Sequence, residues 1–136
     1  MSRTRIYLSG PVESYDTPNQ WRDELVNEYE YYMFYHPLEE HTFELPLSES
    51  ERYMMVMQQL RQVNLSDILL VRYIHDVETW GTPIEIFWAY TCGVPVVVWL
   101  ADNDMEMRDL PNYLCVFADR IEGDIETALR WGENML

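Results

Sequence analysis

The sequence predicts an α/β fold built on a doubly wound, five-stranded parallel sheet, and three observations point there. Short apolar runs with strand character alternate with longer segments of helical periodicity. The clearest runs, Ile68-Leu69-Leu70-Val71 and Val96-Val97-Val98, are continuously apolar, as strands covered on both faces must be. Gly, Pro and Asn fall between these segments, with no repeat, low-complexity tract or linker, so residues 1–136 read as a single domain.

Taken in order, Arg5 to Ser9 is the first strand, ended by Gly10-Pro11. A helix from about Pro18 to Tyr31 follows, with Trp21, Leu25 and Val26 facing inward. Met33 to His36 is a short second strand stopped by Pro37. Ser48-Glu49-Ser50-Glu51 opens a second helix whose core positions include Met54, Met55, Leu60 and Val63. Ile68 to Tyr73 is the third strand, and Pro83 to about Cys92 a helix with an apolar side of Ile84, Ile86, Phe87, Trp88 and Tyr90. Val96 to Leu100 is the fourth strand, Leu114 to Phe117 the fifth, and a last helix runs from about Gly123 to Trp131. Right-handed crossovers between such strands give a flavodoxin-like (Rossmann-like) three-layer sandwich. Ligands then bind beyond the carboxyl ends of the strands, where the winding reverses between strands one and three. The loops Ser9-Gly10-Pro11 and His75 to Gly81 converge on that point.

Glu85 stands one helical turn past Gly81, at the mouth of the sheet. Two roles compete for its side chain. In Thr82-Pro83-Ile84-Glu85 it completes a capping box, with Thr82 as N-cap and Pro83 at the first helical position. Alternatively it is a nucleophile, kept ionised by the helix N-terminus beside a loop whose backbone can approach a ligand. No G-x-G-x-x-G, G-x-x-x-x-G-K or Gly-x-Ser-x-Gly pattern supports a dinucleotide, NTP-hydrolysing or serine-hydrolase reading. His36, His41 and His75 lack ligand spacing, so neither a metal nor a cofactor is expected.

Three segments carry a family resemblance. They are Ile6-Tyr7-Leu8-Ser9-Gly10-Pro11, Leu65-Ser66-Asp67-Ile68-Leu69-Leu70-Val71, and Gly81-Thr82-Pro83-Ile84-Glu85 followed by Gly93-Val94-Pro95-Val96-Val97-Val98. In order and spacing the chain resembles the nucleoside 2-deoxyribosyltransferase family, which includes hydrolases of nucleotide N-glycosidic bonds. The resemblance implies that Glu85 attacks C1′ of a 2-deoxyribose and that Tyr7 orients it. It implies an enzyme that transfers the sugar to a second base, with a 5′-monophosphate hydrolase as the alternative. Thr79, the Gly81 backbone and the Ser9-Gly10 turn could supply uncharged donors to a 5′-phosphate, with Pro11 also at the substrate site. Asn112 would reach a neighbouring subunit's site, in an assembly of two or more copies that Trp88, Tyr90 and Tyr113 could help to line.

Two departures from the family pattern matter. Gln59 stands where the family has an aspartate that binds and protonates the departing base, and glutamine cannot give a proton. Glu51 or Asp76 could serve instead, or the chain could be a binding or sensor module without turnover. Thr79 stands where nucleoside-specific members have an aspartate, which tilts the substrate towards a nucleotide, although the neighbouring Asp76 and Glu78 are acidic.

The formal charge of −15, from 24 acidic and nine basic residues, excludes a nucleic acid polymer as partner, since no basic stripe neutralises phosphates. The expected partners are a nucleoside or nucleotide and a nucleobase. The longest apolar run, Val94 to Ala101, is too short for a bilayer and Met1 to Arg5 is no secretory signal, so a cytoplasmic location without membrane contact is expected. Cys92 and Cys115 read as buried, reduced thiols. Every basic residue is arginine, and with this acidity the pattern points to a salt-adapted protein whose surface carboxylates repel unless screened. Lowering salt from molar to tens of millimolar should depress the melting temperature, and an unchanged melting temperature would remove the halophilic reading.

Overall fold

Hydrophobic alternation along the central strands divides the core between two helical layers. A computed structural model of the chain describes residues 3–10, 20–35, 48–74, 81–101, 106 and 109–135. The elements are β1 (Arg5–Ser9), α1 (Gln20–Glu28), β2 (Met33–Tyr35), α2 (Glu49–Leu65), β3 (Ile68–Tyr73), α3 (Gly81–Cys92), β4 (Val96–Leu100), α4 (Asn112–Phe117), β5 (Arg120–Glu122) and α5 (Ile125–Asn134). All four strand pairings are parallel, in the order β2-β1-β3-β4-β5. The winding reverses between β1 and β3, which is the order of a flavodoxin-like three-layer sandwich.

Tyr7, Leu69, Val71, Val96 and Val98 point to one face of the sheet, where Val63 of α2, Ile86 and Ala89 of α3 and Leu114 of α4 close over them. Ile6, Leu8, Ile68, Leu70 and Val97 point to the other, under Trp21 and Leu25 of α1 and Ala128 and Leu129 of α5. Two aspartates tie the amino ends of neighbouring strands. Asp67 accepts the Arg5 N–H at 2.8 Å, and Asp119 accepts the Val96 N–H at 2.8 Å. These satisfy backbone donors that begin a strand.

Several expectations need correction. Leu114 to Phe117 is helix α4, not the fifth strand, and the strand follows at Arg120–Glu122. The run 114–117 is apolar throughout, but Leu114 is buried while Val116, which would share its face on a strand, is 70% exposed, and the Ala118 N–H bonds back to the Leu114 carbonyl at 3.0 Å as on a helix. The real strand is short and polar, so apolarity does not announce it. Cys115, carried on this helix, is exposed rather than buried. Val26 of α1 and Met54 of α2 face solvent. On α3 only Ile86 of the expected apolar side is buried, whereas Ile84, Phe87, Trp88 and Tyr90 are exposed.

The capping box forms at α2, not at α3. Ser48 Oγ accepts the Glu51 N–H at 3.2 Å, and Glu51 Oε1 accepts the Ser48 N–H at 3.0 Å. Among the described residues no helix is long and apolar enough to cross a membrane, and no group of three or more His, Cys, Asp or Glu side chains could hold a metal ion. His36, His41 and His75 lie outside the described residues.

Candidate active site

The end of β1 carries the chemistry. Tyr7 and Ser9, two residues apart, share a face of the strand and both point towards α3. Glu85, on the first turns of α3, faces them. Tyr7 donates its hydroxyl proton to Glu85 Oε2, and Ser9 Oγ lies 2.7 Å from Glu85 Oε1. Ser9 Oγ is also 3.1 Å from Thr82 Oγ1. A hydroxyl has one proton, and the shorter contact to a charged acceptor takes it, which leaves Ser9 to accept from Thr82.

Burial pushes the Glu85 carboxyl above the ordinary carboxylate range, against the Tyr7 and Ser9 hydrogen bonds and the positive charge of Arg22, which pull it down. Burial, then the charge of Glu85 and the bond to it, raises the Tyr7 phenol well above its ordinary value, so Tyr7 remains a donor. Glu85 is buried but keeps 9% of its surface exposed. A carboxylate has about four lone-pair sites, and two hydroxyl donors leave others free.

The turn after Ser9 requires glycine. Gly10 has φ +155°, and a Cβ there would lie 2.9 Å from the Arg72 carbonyl oxygen and 3.0 Å from Trp21 Cζ2. Gly81 opens α3, where a Cβ would sit 4.0 Å from Glu85 Oε1, so its backbone borders the carboxylate without a side chain between.

The structure therefore brings together Tyr7, Ser9, Gly10, Gly81 and Glu85. It corrects the capping reading of Glu85: α3 already begins at Gly81, Thr82 lies inside the helix, and both carboxylate oxygens are engaged by β1. Pro83 is tolerated because the first-turn N–H groups have no helical partner to lose. Ser9 was expected to serve substrate, but its proton goes to Glu85. Gln59 is half-buried on α2, and Asn112 is exposed as the first residue of α4. Glu51 is taken up by its helix cap, whose hydrogen bonds lower its pKa. Pro11, Asp76 and Thr79 lie outside the described residues.

Sequence reading missed Arg22. It is 3% exposed, with its guanidinium 4.4 Å over the Trp21 ring and its Nη2 donating to the Gly10 carbonyl at 3.0 Å. The available signal was the pair Trp21-Arg22 on a helix whose tryptophan must face the core.

Neither a family model nor a curated protein matches the chain. Solved structures do share its fold. A conserved protein from Enterococcus faecalis V583 aligns with TM-score 0.77 at 19% identity, covering 99% of this chain and 100% of that one. A 2-deoxyribosyltransferase from the psychrotolerant bacterium Bacillus psychrosaccharolyticus aligns with TM-score 0.74 at 16% identity, covering 91% and 89%. A Clostridium botulinum CMP N-glycosidase aligns with TM-score 0.52 at 16% identity, covering 98% and 100%. At these identities the likeness is one of fold, and it agrees with the architecture the sequence predicts.

The raised carboxyl of Glu85 has a stability consequence. A folded-state value above the unfolded one means that the folded protein holds the proton more tightly. Stability is then fully present below the ordinary carboxylate range and is lost as pH rises through the folded value. Glutamine is neutral throughout. Glu85→Gln should therefore melt above the wild type at neutral pH, with the difference closing as pH falls into the acid range. Paired melting curves across pH check this, and a wild type that melts higher at neutral pH refutes it.

Proposed function

We propose that the chain cleaves the N-glycosidic bond of a 2′-deoxynucleoside or deoxynucleotide through a covalent glycosyl ester on Glu85, and passes the 2-deoxyribosyl group to another nucleobase. The observation that carries this reading is the buried carboxylate at the switch point of the sheet, held on both oxygens by hydroxyl donors from β1. The fold shared with a 2-deoxyribosyltransferase supports it.

The chemistry follows from the charge. As the base departs, its bond electrons go with it and C1′ gains oxocarbenium character, which a nearby anion stabilises. A free lone pair of Glu85 then bonds to C1′ as the C1′–N bond breaks, and the departing base takes up a proton from water. A nitrogen of a second base attacks C1′ from the face the first base left and releases its proton to water, the ester bond breaks, and Glu85 is again a carboxylate. Tyr7 and Ser9 hold the carboxylate plane during both displacements. Gly10, Pro11, Thr79 and Gly81 border the sugar, and Gln59 hydrogen-bonds the base edge without protonating it.

A hydrolase acting on 2′-deoxynucleoside 5′-monophosphates is the second reading, favoured by the fold shared with a CMP N-glycosidase and by Thr79 in place of an acid. Water then replaces the acceptor base. Incubation with a deoxynucleoside or its monophosphate, with and without acceptor base, separates the readings. New nucleoside means transfer, and free sugar phosphate alone means hydrolysis. Binding without base release would instead favour a sensor module. Glu85→Gln should abolish turnover, by on the order of 10⁴-fold or more as for loss of other catalytic nucleophiles, while keeping the fold. Turnover at the wild-type rate would refute the nucleophile assignment.

We also propose that the working form is a homo-oligomer of two or more copies. Phe87 (55% exposed) and Tyr90 (60% exposed) stack edge-on against Phe117 with centroids 5.8 and 4.9 Å away, and Ile84 and Val116 extend the patch. Beside it, between α2 and α3, a groove of about 870 Å³ is lined by Tyr53, Met54, Met57, Leu60 and Trp88. The groove is also lined by Gln58, Arg61 and Asn64; exposed aromatics beside it on so acidic a chain suit a second copy, because bringing two copies together elsewhere would oppose like charges. Sedimentation velocity should give a dimer or larger for the wild type and a shift to monomer for Phe87→Glu. A monomeric wild type at micromolar concentration overturns the assembly.

A further inference from the structure

We propose that Arg22 is a positioning residue for Glu85: from the opposite helical layer it reaches the rim of the sheet, fixes the β1 turn and supplies the counter-charge under which Glu85 works as a carboxylate. The proposal rests on the nucleophile role given to Glu85 above, but its test reads the carboxylate directly and does not need turnover.

Among the described residues, β1 is tied on its far side to β3 as far as Ser9↔Val71. Arg22 of α1 meets the same end of the strand at its main chain, with Nε 3.5 Å from the Leu8 carbonyl and Nη2 3.0 Å from the Gly10 carbonyl. Residues 8 and 10 thus anchor Arg22 through the main chain, while the residues beside them, Tyr7 and Ser9, hold Glu85 by their side chains. The same short stretch carries the carboxylate on one layer and the guanidinium on the other.

A purely structural tie would engage all of the guanidinium or leave the rest in water. Arg22 does neither, since Nη1 is buried and has no hydrogen-bond partner among the described residues. The cation also sits over Trp21, whose ring a second guanidinium, that of Arg72, approaches to 5.4 Å. Burial pushes the Arg22 pKa down to about 10, which leaves it charged throughout the neutral range, and Glu85 and Tyr7 oppose that fall. Among the described residues, the groups that act on Glu85 are Tyr7 and Ser9 of β1 and Arg22 of α1. Arg22 is the cation of the three. Arg72 acts on Arg22 by repulsion and so favours placing Arg22 where an anion offsets it.

The test is the titration of Glu85 by carbon NMR of glutamate-labelled protein, with the resonance assigned by its loss in Glu85→Gln. Arg22→Gln removes the charge and keeps a hydrogen-bond donor for the Gly10 carbonyl. Its Glu85 should titrate higher than wild type by about one pH unit or more, the size expected for loss of a nearby opposite charge. An unmoved titration overturns the proposal and leaves Arg22 a backbone tie. Should Arg22→Gln fail to fold, Arg22→Lys carries the test. It keeps the charge, so its Glu85 should titrate close to wild type, and a shift of a full unit refutes the counter-charge role. If the protein turns over a substrate, the acid limb of kcat/KM should move with the resonance. A resonance that moves in a protein without turnover keeps this inference and removes the catalytic one.

Discussion

One carboxylate, withdrawn from water at the end of β1, sets the terms for everything around it. Its burial favours the neutral acid, and nucleophilic chemistry needs the anion. The residues that resolve this conflict come from three elements: Tyr7 and Ser9 from the sheet, the first turns of α3 that carry Glu85 itself, and Arg22 from α1. None of these can be placed without the crossover topology. The winding reverses between β1 and β3, and at that end of β1 the side chains of Tyr7 and Ser9 meet Glu85 while the Leu8 and Gly10 carbonyls accept from Arg22.

Much of the fold was legible because it rests on strong local signals. Ile68 to Val71 and Val96 to Val98 are buried on both faces, and such strands must be apolar throughout. The capping box at Ser48 is likewise a local pattern, although the same pattern at Thr82 proved to be something else. What separates them is tertiary. At α3 two hydroxyls from β1 claim Glu85, and no local reading of Thr82-Pro83-Ile84-Glu85 contains Tyr7 or Ser9. The pairing of Glu85 with Tyr7 was reached only through a family resemblance, since 78 residues separate them. Arg22 escaped for a related reason: its partners are main-chain carbonyls, which leave no trace in residue identity.

The misread segment 114–117 shows the other limit. A four-residue apolar run carries too few positions to distinguish a period of two from one of 3.6. The burial of Leu114 with Val116 exposed, and the bond from the Ala118 N–H to the Leu114 carbonyl, decide for a helix. The exposed aromatics of α3 mark a different failure. Ile84, Phe87 and Tyr90 are exposed although apolar, and a pattern of hydrophobicity cannot by itself tell a core face from an exposed apolar surface.

The division of labour around Glu85 also makes chemical sense. A guanidinium bonded directly to the carboxylate would form a buried ion pair, strongest in the resting state and weakened as the oxygen gives up its charge to carbon. Such an interaction stabilises the ground state more than the transition state and slows the attack. Hydroxyl donors are weaker and follow the oxygen as its charge falls, so they orient without trapping. Arg22 instead directs donors to the Leu8 and Gly10 carbonyls and acts on Glu85 through its charge, leaving carboxylate lone pairs unclaimed as the proposed nucleophile role requires. A buried carboxylate ringed by direct cations would suit a structural salt bridge; one held by hydroxyls, with the cation set one layer away, suits a nucleophile.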